Sequence, residues 1–174
     1  MPMARIAVSH IMAAIQKVQA MDMPRRIAMA DEIYQAQPHM LASCLVHKQM
    51  GVDERAVNML LNILLVCFQA MKESPYQWPL ISAENQERYL QRHVGAVRFS
   101  EEMTDPVAGD QARRQYVGSH PEQPLLAYVM NENNRWLADV AQRGAEAESD
   151  KYVMMAAVNL VNCIAYAQAD AICA

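Results

Sequence analysis

Apolar residues in this chain recur three and four positions apart, and the pattern is densest in ERAVNMLLNILLVCFQAMK, residues 54–72. Wound as a helix, this segment places Val57, Leu61, Leu64, Phe68 and Met71 on one stripe and Met59, Ile63, Val66 and Ala70 on a second. Only Asn58, Asn62, Leu65, Gln69 and Lys72 make a semi-polar stripe. A helix with two apolar stripes must meet neighbours on both, so the pattern predicts a central helix. Asp53 is its expected cap, with Glu54 at the positive end of the helix dipole and Lys72 at the negative end. A second helix of this kind is expected over about 151–171, capped by Ser149 or Asp150.

The other segments read as ordinary amphipathic helices. Ile6, Ile11, Ile15 and Val18 predict one over about 4–20 on the surface of a bundle. Asp22 ahead of Pro24 opens another through Ile27, Ala30, Ile33 and Tyr34, which ends at Pro38. A third, over about 39–50, carries Met40, Leu41, Cys44 and Leu45 and stops at Gly51. SPYQWPLIS, residues 74–82, has two prolines and is the clearest irregular connection. Ser82 caps a fifth helix through Tyr89, Leu90, Val94 and Val97, and Asp105-Pro106 opens a short sixth. A seventh starts near Pro121 or Pro124 and stops at Gly144, with NENN at 131–134 expected as a kink or an exposed turn.

Alternating strand patterns are missing, so the expectation is one all-α domain over 1–174, a bundle of about seven or eight helices around the two central ones. The central helices superpose in sequence at an offset of 97, which matches Asn62 with Asn159 and Leu64 with Val161. That match suggests a pseudo-twofold repeat of helical hairpins, with halves 22–73 and 121–174 joined by helices in 82–118. Two apolar helices of similar composition would also give such a match.

Composition changes this picture little. Only 5 glycines but 14 methionines among 174 residues favour helix. A net charge of −4 with dispersed Arg and Lys offers no concentrated footprint for nucleic acid or anionic lipid. Residues 152–169 carry no charge, but Asn159, Asn162 and Gln168 would be costly in hydrocarbon, so no membrane partner is expected. Cys44, Cys67, Cys163 and Cys173 sit among apolar neighbours without the spacing of a disulfide scaffold. They read as buried thiols, and no secretory signal is evident at the N-terminus, so a cytoplasmic protein is expected.

The polar residues on the central helices are the most informative candidates for chemistry. Tyr152, Met155, Asn159, Asn162 and Tyr166 share one face of the last helix, with Asp170 at its end. Buried amides must bond across an interface or line a wet cavity. A ligand site would require Asn62, Asn159 and Tyr166 to converge on one cavity; a register-fixing contact would bond the amides inside a closed core. Tyr76 and Trp78 between prolines would either fold back over the bundle end or form an exposed clamp for a partner.

Other motifs are incomplete. Cys44 and His47 supply only half of a metal site, and no Glu-x-x-His appears, so neither a metal nor any other cofactor is expected. LASCLVHKQMGVDERAVNMLL resembles a helix-turn-helix with Gly51 at the turn, which would imply a DNA-binding regulator. However, His47 stands where a small residue is usual, and Asp53 and Glu54 flank the single Arg55, so nucleic acid is not the expected partner. Gly118-Ser119-His120 has no strand before it and reads as a helix break rather than a nucleophile elbow. These features favour a non-catalytic helical module that binds another protein or itself as a homodimer. The alternatives are a small-ligand or enzymatic bundle using the Asn/Tyr face, with Asn62, Asn159, Asn162, Tyr166 and Trp78 as binding residues, and then the regulator.

Overall fold

The computed structural model describes residues 3–144 and 148–172, and among these it has eight helices and one two-residue strand pair. They are α1 (Val8–Gln19), α2 (Met23–Ala36), α3 (Pro38–Gln49), α4 (Glu54–Glu73), α5 (Ala83–Glu102), α6 (Pro106–Ser119), α7 (Gln123–Arg143) and α8 (Glu148–Tyr166). The bundle is all-α, as the periodicity predicts. Four of its helix starts rest on the expected caps. The side chains of Asp22, Asp53, Ser82 and Asp105 accept from the backbone N–H groups of Arg25, Arg55, Asn85 and Val107. Gly51 adopts φ of 79° after α3, where Val52 N–H bonds His47 O and Gly51 N–H bonds Lys48 O, so the last carbonyls are satisfied by a left-handed stop.

α4 and α8 pack against each other at the centre. Residues 63–71 of α4 and 157–165 of α8 are buried without a break, more than two turns enclosed on every side. α1, α3 and α2 cover α4, while α5 and α7 cover α8 and α6 bridges α5 to α7. By length and composition α4 could cross a membrane, yet 67% of its most apolar window is buried inside the bundle.

Several expectations need correction. α1 lies along α4, with Ile11, Ala14 and Val18 buried, so it is part of the core rather than a surface addition. The NENN stretch neither kinks nor turns out. α7 runs unbroken through it because Asn133 is buried and donates to Met154 O of α8 at 3.2 Å, while Asn131 and Asn134 take the solvent side. α8 does not start with Ser149 or Asp150 as its cap, since both lie within the helix; Asp150 instead accepts from Trp136 Nε1 at 3.0 Å. Nor does α8 reach 171. It ends at Tyr166, and Asp170–Ala171 pair antiparallel with Tyr76–Gln77.

Arg5 meets that end. Its guanidinium donates to the carbonyls of Ile164, Ala165 and Ala167, closing the C-terminus of α8. Arg5 in turn pairs with Glu122, a carboxylate with 0% exposure that also accepts from the N–H groups of Arg5 and Ile6. The two hairpins are unequal, with 12 residues in α3 against 21 in α7, and Asn62 and Asn159 bond to unlike partners. Cys173 lies outside the described residues.

Candidate functional site

The structure separates the asparagines that the sequence groups together. Asn62 accepts from Arg26 of α2 at 3.1 Å, on the semi-polar stripe of α4 that also holds Gln69 and Lys72 against α1 and α2. Asn159 donates to the backbone carbonyl of Gln86 at 3.1 Å, pinning α5 to α8, and is not among the residues lining the two spaces described below. Asn62 and Asn159 therefore work as separate interhelical ties. Trp78 folds back over the end of α4, its indole N–H shared between Met71 O and Ser74 Oγ at 3.0 Å, with the Arg5 guanidinium over its ring. It closes the bundle and is not an exposed clamp.

Asn162 and Tyr166 do converge, and on residues that the sequence did not single out. Asn162 Oδ1 accepts from Tyr116 Oη at 3.2 Å and contacts His120 Nε2 at 2.9 Å. His120 Nδ1 accepts from the backbone N–H of Glu122 at 3.1 Å, which leaves the proton on Nε2 for Asn162. The tautomer of His120 thus follows from its two partners. The Tyr166 ring stands 5.2 Å from that of Tyr89 and 6.3 Å from His120, and the His93 ring is 6.2 Å from Tyr116.

Two adjoining spaces share a wall beside this cluster. The larger, about 360 Å³, lies between α5, α6, α7 and α8 and is walled by Ala96, Val97, Val117, Leu126, Met130 and Val158. The smaller, about 70 Å³, is lined by Tyr89, Arg92, His93, Tyr116, Asn162 and Tyr166. His93 and Tyr116 border both, so an apolar chamber ends on a polar one. His93 Nδ1 is buried there without a hydrogen-bond partner. Burial, and then the nearby His120, hold the His93 imidazole below its ordinary pKa. Burial also raises the Tyr116 phenol, although its bond to Asn162 works the other way.

The sequence carried a partial signal for these residues. Tyr116 and His120 are four apart at the end of one helix, and Tyr89, His93 and Val97 repeat at the same spacing on another. Reading Gly118-Ser119-His120 as a helix break captured the backbone, since His120 is the C-terminal cap of α6, but not the buried imidazole.

Cys44 and His47 share a contact of His47 Nδ1 with Cys44 O, and no three His, Cys, Asp or Glu side chains group as a metal site among the described residues. At the start of α4 Arg55 and Asn58 are exposed, beside the equally exposed Asp53 and Glu54. Compared with protein-family models, curated proteins and solved structures, the chain matches none of them.

Proposed function

We propose that this bundle is a receptor for a small, mainly apolar molecule held between α5, α6, α7 and α8. The observation that carries the reading is the chamber of about 360 Å³ whose apolar walls end on His93, Tyr116 and Asn162. Ligand sites in proteins are of this size and build, mostly hydrophobic with a few placed polar groups that orient the guest. Phe99 and Met130, both exposed, stand at the rim and give the guest a route in. Three buried free thiols accord with a cytoplasmic location, where a reducing medium preserves them.

The test is titration with the neutral fluorophore N-phenyl-1-naphthylamine. Saturable one-to-one binding is expected, and Ala112→Trp, which fills the chamber, should abolish it. Unchanged emission with the native protein, or equal binding by the filled variant, rejects the reading.

A second reading, self-association, rests on a different surface. Met23, Ile27 and Tyr34 are exposed on one stripe of α2, an apolar face of the sort that partners cover. Light scattering of the native chain and of Ile27→Glu decides it: a dimer that the charge dissociates supports this reading, and a concentration-independent monomer removes it.

A further inference from the structure

The two chambers differ in what they offer a guest, and the difference specifies its chemistry. Arg92 borders the small chamber, and among the described residues neither it nor Arg88, one turn earlier on α5, forms an ion pair. His93 stands in the wall shared by both chambers, with its Nδ1 enclosed and without a hydrogen-bond partner. No carboxylate lines the small chamber. At the large chamber the charges are arranged otherwise. Arg113 is engaged by Asp110 at 3.4 Å, and Glu101 also lines the wall, so charges of both signs offset each other there.

We propose that the guest is an apolar carboxylic acid, with its hydrocarbon in the large chamber and its carboxylate in the small one against Arg92. This assignment rests on the receptor reading above. An ionised carboxylate leaving water needs a charged or hydrogen-bonding partner, and an unpaired guanidinium is the geometry best matched to it. Tyr116 and Asn162 are already bonded to each other, so they hold the wall in place while Arg92 keeps no ion-pair partner among the described residues.

The experiment is displacement of bound N-phenyl-1-naphthylamine at pH 8 by decanoate and by 1-decanol, which share their chain and differ in charge. In the native protein decanoate should compete at about tenfold lower concentration, the usual value of a charge-assisted bond. Arg92→Gln should bring the two competitors level, and Arg92→Lys should restore part of the gap; thermal melts show that each variant is folded. Equal competition in the native protein, or a preference that survives Arg92→Gln, overturns the carboxylate assignment while the apolar site stands. If the fluorophore binds and neither competitor displaces it, the assignment fails in the same way. Failure of the native protein to bind the fluorophore at all removes the receptor reading and this inference with it.

Discussion

Burial pushes the His93 imidazole below its ordinary pKa, and His120 across the cluster adds to the shift. The folded protein therefore resists a proton that the unfolded chain accepts at the ordinary value of 6.5. Below pH 6.5 the unfolded state takes up more protons, and stability falls with pH until the folded-state value is passed. His93→Gln should flatten this limb of the profile, read as the difference in melting temperature between native and variant proteins from pH 7.5 to 5.5. An identical pH dependence in both would exclude His93 as a source. The sequence marked Asn162 and Tyr166 as polar residues on an apolar helix, which is how they can be found. It left His93 unmarked, because a histidine on a mixed helix face looks the same whether solvated or buried.

At the scale of elements, helix starts were far more legible than helix ends. Asp22, Asp53, Ser82 and Asp105 act on N–H groups two or three residues away, so their effect is written locally. The end of α8 is met by Arg5, 159 residues from the first carbonyl it closes, and no local pattern announces that. Arg5→Ala would strand the buried Glu122 carboxylate and release three carbonyls at once. Removing one partner of such a pair costs about 3–5 kcal/mol. That is a large part of the stability of an ordinary domain, and urea denaturation should show it as a lower midpoint with an unchanged slope. A loss below about 1 kcal/mol would mean that water reaches Glu122 and the clamp is weak. The same logic explains α7. Its NENN run looks breakable in isolation, but Asn133 has a carbonyl of α8 to bond, and tertiary contact overrides local polarity.

Over the whole molecule, the core gathers three thiols from three helices, Cys44 on α3, Cys67 on α4 and Cys163 on α8. Burial raises the thiols of Cys44 and Cys163 to about 12 and that of Cys67 further still. Thiolate is the reactive form, so all three should resist iodoacetamide at pH 8 in the native protein and react once urea unfolds it. Mapping the alkylated peptides checks this residue by residue, and rapid native labelling of Cys44 would contradict the packed core.

The sequence by itself determined the fold class, the two central helices and most helix starts, because periodicity and capping act between residues a few positions apart. It also determined that amides on those helices must find partners. Which partners they find was decided only by tertiary structure. Asn62 went to Arg26, Asn159 to the backbone of α5, and Asn162 to Tyr116 and His120. A hydrogen bond needs atoms within about 3 Å, and only packing brings groups tens of residues apart to that distance. The chamber between α5 and α8 has the same origin, since a cavity is the space that neighbouring helices leave between them and belongs to none of their sequences alone.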